Sequence, residues 1–317
     1  STLLSILSDG QFHSGDMLGD RLGVSRTAIW KQLKKIEDLG LPLVSIKGKG
    51  YKIAGGLDLL SEASIKDWLS ADAKQHIAGL DVIQTVASTN TEAMSKAGLG
   101  RGYVCTSEQQ TAGKGRRGKV WLSPFAQNLY VSVLWEFVGG AAALEGLSLA
   151  VGVAVTDTLA SLGIEGVELK WPNDVLYRGQ KLAGILLEMI GDASGPCYVV
   201  IGIGLNVHMS TSTEIDQPWV ALKTISPCEL SRNQVLGLLL NQLMPMLATF
   251  EEDGFSRYQQ RWMEFDAFAG QDVVLTQGDS LVLGRAAGVD GKGALLLETV
   301  NGKQSFSGGE LSLRLAG

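Results

Sequence analysis

In the first 53 residues, apolar side chains recur at helical spacing in three short segments and then follow the alternation of two strands. Ser14 and Ser25 stand just before the second and third segments, where serine commonly caps a helix, and Gly23 permits a turn between them. The third helix is predicted over 26–38, and a hairpin with a basic tip over 43–53. A helix-turn-helix followed by such a hairpin predicts a winged-helix domain.

Beyond a Gly55-Gly56 linker and a short helix over 61–69, strand-length and helix-length segments alternate. The predicted strands are 80–86, 103–108, 128–136, 167–171, 181–190 and 198–207. The longer predicted helices are 90–97, 143–162 and 232–252. A turn at Arg178-Gly179 predicts a hairpin within this series, so we expect a mixed sheet in an α/β or α+β domain.

From about residue 266 the pattern changes to short β-type segments separated by glycine-containing turns. These segments are 273–276, 281–287, 294–298, 304–306 and 311–313. Since no helix-length segment intervenes, a small antiparallel β-barrel is predicted. The chain is therefore expected to be a multidomain α+β protein with units at 1–56, 57–265 and 266–317.

The composition of the 317-residue chain, 45% hydrophobic and 19% charged, is ordinary for a folded soluble protein. It contains no uninterrupted apolar run of membrane-spanning length and no signal-peptide pattern, so we expect a cytoplasmic protein. The three cysteines and three histidines are scattered. A disulfide framework, a zinc cluster and a nucleophile–base pair are therefore not expected.

Charge is distributed unevenly, because the net charge of −6 includes +3 in the first 53 residues. This asymmetry indicates a nucleic-acid contact confined to the winged helix. The side chains expected to contact DNA are Ser25, Arg26, Thr27, Trp30, Lys31, Lys34, Lys47 and Lys49. A small helical domain with a solvated basic face remains the alternative.

The most unusual stretch is the loop Gln110–Lys119, in which four cations and three glycines fall within seven residues, Gly113 to Lys119. Glycines let the backbone approach an anion closely, and the cations can gather around phosphate or carboxylate. The loop lacks the Gly-Lys-Ser/Thr ending of the Walker motif. We expect a small anionic ligand here; a solvated basic loop or a nucleic-acid contact remains open.

A second motif, Lys170-Trp171-Pro172-Asn173-Asp174, follows a predicted strand. A lysine beside an aspartate can hold a phosphate together with its magnesium ion, although a structural turn fits the motif equally well. Three further motifs are weak when taken singly: Ser88-Thr89-Asn90, Lys181 to Glu188, and Gly202 to Asn206. Together the patterns predict a site for a magnesium-bound nucleotide and an acid, beside a DNA-binding head.

In their order along the chain, these five motifs resemble those of the bacterial bifunctional biotin–protein ligases that also repress the biotin operon. The family's Gly-Arg-Gly-Arg-Arg-Gly loop corresponds to Gly113-Lys114-Gly115-Arg116-Arg117-Gly118, and the similarity extends to Gly308-Gly309-Glu310. The resemblance implies a central domain of the class II synthetase type and an SH3-like C-terminal barrel. It also implies a two-step reaction, in which biotin and MgATP form biotinyl-5′-AMP and a carrier-protein lysine then accepts the biotin.

The resemblance further implies roles for individual residues. It places biotin against Ser88, Thr89, Asn90, Gln110, Lys114, Gly115, Arg116, Lys181, Gly184 and Gly204. It places ATP or the adenylate against Arg117, Lys119, Trp121, Lys170, Asn173 and Asn206. Lys170, Arg116 and Lys181 are the expected catalytic residues, and Asp174 is a candidate magnesium-linked residue. The implied partners are the biotin carboxyl carrier protein of acetyl-CoA carboxylase, operator DNA and, in the adenylate-bound state, a second copy of the chain.

Lys114 departs from the family pattern, which has arginine at that position. Because lysine lacks the planar fork of arginine, we expect the loop to hold the adenylate less tightly. Two alternatives remain: a ligase whose winged helix does not regulate transcription, and a lipoate–protein ligase.

Overall fold

The computed structural model describes residues 2–191, 195–307 and 311–316. The Gly308-Gly309-Glu310 motif lies outside the described residues. The N-terminal unit consists of α1 (Leu3–Leu7), α2 (Gly15–Leu22), α3 (Arg26–Asp38), β1 (Leu43–Ile46) and β2 (Gly50–Ile53). The predicted helix-turn-helix and wing are thus confirmed.

Local signals determine where the helices of the winged helix begin and end. The Ser14 hydroxyl accepts a hydrogen bond from the Met17 amide at 3.1 Å, and the Ser25 hydroxyl accepts one from the Ala28 amide at 3.2 Å. Gly23 ends α2 in the left-handed region at φ 65°, where a side chain would be strained. The predicted caps and turn are therefore confirmed.

The central unit is built on a seven-stranded mixed sheet. Its helices and strands are α4 (Glu62–Asp67), α5 (Ala71–Gln75), β3 (Gly79–Val86), α6 (Thr89–Met94), β4 (Tyr103–Gln110), β5 (Leu129–Phe137), α7 (Leu147–Ser161), β6 (Val167–Lys170), β7 (Asp174–Tyr177), β8 (Gln180–Gly191), β9 (Cys197–Leu205), α8 (Leu222–Ile225), α9 (Arg232–Asp253) and α10 (Ser256–Glu264). The strand order is β3-β4-β5-β9-β8-β7-β6, with β3 and β4 parallel and the other pairs antiparallel. The predicted hairpin turns through Arg178 and Gly179, at φ 49° and 78°.

Some predicted boundaries in the central unit were wrong. The helix predicted over 143–162 begins only at Leu147, because Gly146 adopts φ 73° after a 3-10 segment at Gly140–Leu144. The sequence pattern missed α5, α8 and α10. The segment Gly140–Ser161 is long and apolar enough to cross a membrane, but 61% of its most apolar window is buried, as in the core helix of a globular protein.

The C-terminal unit is an SH3-like β-rich domain of five antiparallel strands. They are β10 (Asp272–Gln277), β11 (Ser280–Val289), β12 (Leu295–Thr299), β13 (Gly302–Phe306) and β14 (Leu311–Leu315). The Ala267 amide donates to the Leu169 carbonyl at 2.9 Å, and the Trp171 indole N–H donates to the Gly293 carbonyl at 3.0 Å. These bonds place the C-terminal unit beside the end of β6.

A buried ion pair joins the central unit to the segment that follows the winged helix. Arg232 is fully buried, and its guanidinium lies 2.6 Å from the Glu108 carboxylate and also bonds the Asp58 carbonyl. The Leu60 amide donates to the same Glu108 carboxylate at 2.6 Å. Burial alone would raise the pKa of Asp58, but hydrogen bonds from His208 and the Arg232 backbone hold it below its usual range. The segment that follows the winged helix is therefore tied to the sheet through charged, hydrogen-bonded groups.

Candidate active site

One cleft at the centre of the sheet brings together residues from all five sequence motifs. It encloses about 480 Å³, part of it open to solvent. Its lining residues include Ser88, Thr89, Asn90, Gln110, Lys114, Gly115, Arg116, Trp121, Asn173, Lys181, Gly184, Gly202 and Gly204. Every residue predicted to contact biotin therefore lines this one cleft.

The polar floor of the cleft is a continuous hydrogen-bond network. The Gln110 side-chain carbonyl accepts from both the amide and the hydroxyl of Thr89, at 2.9 and 3.1 Å. The Ser132 hydroxyl lies 2.8 Å from the Thr89 hydroxyl and 2.6 Å from the Asn90 side-chain carbonyl. The Asn90 amide then donates to Glu188 at 2.7 Å. Ser132 on β5 lies outside the sequence motifs, and Glu188 on β8 ends the third motif without a predicted role, yet both orient the predicted ligand-binding groups.

Ser88 directly precedes α6, at a position where serine commonly caps a helix. The side chain is buried, and its hydroxyl makes no capping hydrogen bond to the helix. It instead lies on the lining of the cleft.

Glycines make one wall of the cleft flat. A β-carbon at Gly204 would overlap the indole ring of Trp121, and one at Gly202 would overlap the Asn90 side chain. A β-carbon at Gly184 would lie 3.0 Å from Cζ3 of Trp121. The two β-strands therefore need glycine at these positions so that Trp121 and Asn90 can lie against them.

The glycine- and cation-rich loop is folded against the cleft. The Gly115 amide donates to the Lys119 carbonyl at 2.7 Å, and the Trp121 amide donates to the Gly113 carbonyl at 2.9 Å. Within this closed loop Arg116 turns inward, and its guanidinium donates to the Asn173 side chain at 3.2 Å. Arg117 is exposed at φ 57° and does not line the cleft; together with Lys119 it lines an open groove on the outer side of the loop.

Lys114 lies on the outer part of the same loop. Its ammonium is 3.3 Å from the Glu188 carboxylate, and 46% of its side chain is exposed. The Glu188 carboxylate, which accepts a hydrogen bond from the Asn90 side-chain amide, therefore also contacts the loop through Lys114. An ion pair this exposed contributes little stability, on the order of 0–1 kcal/mol, so it can open readily.

Asp174 is the shared counterion of two lysines. One of its carboxylate oxygens lies 2.8 Å from the Lys181 ammonium, and the other lies 4.0 Å from the Lys170 ammonium. Lys181 lines the cleft, whereas Lys170 lies behind Asp174 with its ammonium 5.8 Å from the centre of the Phe268 ring. The structure therefore places the two predicted catalytic lysines differently. Lys181 faces the ligand space, whereas Lys170 does not line the cleft and is connected to it by its ion pair with Asp174.

Burial lowers the pKa of the Lys170 ammonium below its usual range, although Asp174 opposes the shift. The positive charges of Lys181, Arg314 and Lys119 lower it further. Arg314 belongs to β14, so the C-terminal unit contributes a cation to this site that the sequence motifs did not identify.

The surroundings of Asp174 bear on the predicted magnesium-linked role. Both of its oxygens face ammonium groups, and within residues 2–191, 195–307 and 311–316 there is no group of three or more His, Cys, Asp or Glu side chains that could hold a metal. A lone carboxylate suits a magnesium ion that arrives on phosphate oxygens, and does not suit an ion held by the protein alone.

A second cavity of about 880 Å³, part of it also open to solvent, adjoins the cleft and shares Trp121 and Lys181 with it. Lys119 and Asn206, both predicted to bind the nucleotide, line it, and so does Trp219, which the motifs missed. The Trp121 indole N–H is buried at the boundary and makes no hydrogen bond within the described part of the chain. The two cavities can thus hold two joined chemical groups on either side of Trp121.

The predicted DNA-contacting residues lie on the surface of the winged helix, on α3 with its N-cap and on the tip of the β1–β2 hairpin. They are Ser25, Arg26, Thr27, Trp30, Lys31, Lys34, Lys47 and Lys49, all of them exposed. Ile29, Leu33 and Ile36 on the opposite face of α3 are buried, so the helix is anchored and its basic side faces solvent.

Three family models match consecutive parts of the chain: an HTH domain over 1–52, the biotin/lipoate A/B protein ligase family over 80–206, and a biotin protein ligase C-terminal domain over 268–314. The "Bifunctional ligase/repressor BirA" of Salmonella typhimurium is 40% identical over 99% of this chain and 97% of the relative. The chain belongs to the BirA family of bifunctional ligase/repressors. The BirA protein of Escherichia coli is 38% identical over the same shares of both chains.

Solved structures of the ligase part agree with this assignment to the BirA family. The "Biotin protein ligase from Aquifex aeolicus in complex with biotin and ATP" superposes with a TM-score of 0.67 at 28% identity. That match covers 76% of this chain and all of the Aquifex chain. The resemblance inferred from the five motifs, and the three-part fold class, are thereby confirmed.

Proposed function

We propose that this protein is an ATP-dependent ligase that joins biotin to a lysine of the biotin carboxyl carrier protein of acetyl-CoA carboxylase. One observation carries the proposal: the predicted biotin-binding residues line one cleft, which shares Trp121 and Lys181 with a second cavity. Biotin occupies the cleft and adenosine the second cavity, so the mixed anhydride lies between them.

In the first step a biotin carboxylate oxygen attacks the α-phosphorus of ATP, and the bond to pyrophosphate breaks. Negative charge accumulates on the phosphate oxygens, and Lys181 and Arg116 are the cations that face this point. Asp174 and Asn173 orient these two cations. Lys170 acts from behind Asp174 by adding positive charge, and so strengthens the field at phosphorus.

Magnesium enters this proposal as part of the substrate MgATP, bound through phosphate oxygens, with Asp174 as the nearby protein carboxylate.

In the second step the uncharged ε-amine of the carrier lysine attacks the acyl carbon, AMP leaves, and the amine proton passes to solvent. Closing the Gly113–Lys119 loop over the anhydride excludes the water that would hydrolyse it. This chemistry requires positioning and charge stabilisation and needs no covalent enzyme nucleophile.

The direct test is to incubate the full chain with MgATP and either biotin or lipoate, and to detect the adenylate and a modified carrier domain by mass. We expect biotinyl-5′-AMP and a biotinylated carrier. The variant Lys181→Ala should lose adenylate formation, whereas Lys66→Ala on exposed α4 should keep it. Adenylation of lipoate in place of biotin would contradict the substrate assignment.

We also propose that biotinyl-5′-AMP makes this protein a dimeric repressor of biotin-biosynthesis genes. The β7–β8 register ends at Gly184, and within the described residues only β9 pairs with the part of β8 from Leu186 to Gly191. Such an open edge is a template for pairing with a second chain. Two copies joined there would present two basic winged helices to a two-fold operator.

Sedimentation with and without biotin and MgATP tests the dimer, and operator retention under the same conditions tests repression. We expect both to appear only when the adenylate forms. A protein that ligates biotin yet binds no operator would be a ligase without regulatory function. We propose that both activities take place in the cytoplasm. In this proposal the unit 1–56 binds DNA, the unit 57–265 carries the catalytic site, and the unit 266–317 supports that site.

A further inference from the structure

Trp30 is an exposed aromatic side chain in the middle of a cationic helix face. It is 56% exposed on α3, one helical turn from Arg26 on one side and from Lys34 on the other. The Lys34 ammonium lies 5.4 Å from the centre of the indole ring. Trp30 is therefore held against a neighbouring cation while much of its ring remains in water.

Packing within the chain does not account for this exposure. The buried neighbours Ile29 and Leu33 point into the core of the winged helix, on the other side of α3. A tryptophan contributes most at a surface where a partner covers it, and large exposed rings are typical of interfaces. Trp30 thus has the character of a recognition residue.

The charges around Trp30 select the kind of partner. Lys34 lies against the ring, and Arg26 and Lys31 are exposed on the same helix, so an apolar protein surface laid over this part of α3 would desolvate cations. DNA provides phosphates for the cations on both sides of a groove that is wide enough for a helix. The apolar group that base edges present in this major groove is the C5-methyl of thymine.

We propose that Trp30 selects the operator by packing its indole ring on the C5-methyl group of a thymine in each half-site. This inference rests on the proposed repressor function and adds the base that the recognition helix distinguishes. Lys34 restrains the ring from one side, and the surrounding cations contact phosphates without distinguishing bases.

The test begins with the full-length protein, biotin and MgATP, used to select duplexes from a random-sequence DNA library. Each thymine shared by the selected half-sites is then replaced by deoxyuridine, which removes only the methyl group. We expect one thymine per half-site at which this replacement weakens binding on the order of fourfold, the worth of one buried methyl group.

Variants assign the effect to the indole ring. Trp30→Ala should bind the thymine and uracil duplexes equally, and Trp30→Phe should keep part of the preference. Trp68→Ala is the matched control, because Trp68 is 44% exposed but lies outside the winged helix, and it should keep the full preference. Circular dichroism of each variant checks that α3 remains folded.

The outcomes separate this proposal from the repressor function. If the selected duplexes bind equally well with thymine or uracil, or if the preference for thymine survives in Trp30→Ala, only the proposed role of Trp30 is overturned and the repressor function stands. A wild-type protein that selects no sequence would overturn operator binding and, with it, this proposal.

Discussion

The Asp174 carboxylate lies 2.8 Å from the Lys181 ammonium and 4.0 Å from that of Lys170. One carboxylate therefore fixes the cation that faces the ligand and links it to a second cation behind. The Asp174 side chain is only 16% exposed, so its charge is weakly screened by solvent. The positions of both lysines depend on this group.

Replacing Asp174 with asparagine should slow adenylate formation about tenfold or more, because Lys181 loses a charge-assisted hydrogen bond and repels Lys170. Pyrophosphate exchange with labelled ATP measures this rate. Asp67→Asn on the exposed surface is the control and should leave the rate unchanged.

A magnesium titration of Asp174→Asn separates two roles of the carboxylate. If Asp174 acts only as the lysine counterion, the rate falls while the magnesium concentration for half-maximal activity stays the same. A large increase in that concentration would instead assign Asp174 a direct part in holding MgATP.

The pH dependence of adenylation should report on Lys170. Burial disfavours its charged form, so its ammonium deprotonates below the ordinary lysine value of 10.5. We expect the pyrophosphate-exchange rate to fall as pH rises through this lowered pKa. Lys170→Arg keeps a positive charge throughout and should lose that alkaline decline. The same decline in Lys170→Arg would show that another group is responsible.

Lys114→Arg should slow the release of biotinyl-5′-AMP, about three- to tenfold. Lys114 meets Glu188 as a single point charge at 3.3 Å, whereas an arginine can bond both carboxylate oxygens and hold the loop closed longer. Dissociation of labelled adenylate during a chase measures the effect. The double variant Lys114→Arg/Glu188→Gln should lose the gain, and an unchanged or faster release from Lys114→Arg would contradict the idea.

Gly204→Ala should weaken binding of the adenylate about tenfold or more while the fold persists. The added methyl group overlaps the Trp121 ring, and overpacking of this kind costs roughly 1–3 kcal/mol. Isothermal titration calorimetry measures the affinity. Gly98→Ala is a matched control, because a β-carbon there meets no atom within 4 Å and its φ is not positive; equal losses in both variants would rule out the packing explanation.

Much of the architecture was predictable because its signals are local. Ser25 caps α3 through its own side chain three residues from the amide that it bonds, and Gly23 adopts the left-handed turn that glycine tolerates. Apolar segments of strand length and of helix length likewise located the strands and the long helices. The short helix α10 was missed because its nine residues are mostly polar and only one of them, Trp262, is buried.

By itself the sequence predicted most of the residues that line the candidate cleft, since five ordered motifs carry them. Only the tertiary structure decided that Ser132 and Trp219 join them, and that Glu188 contacts both Asn90 and Lys114. It also decided that Lys170 lies behind Asp174, and that Arg117 lies outside both cavities. The physical reason is that sheet register and loop closure set these contacts, and both depend on residues tens of positions apart along the chain.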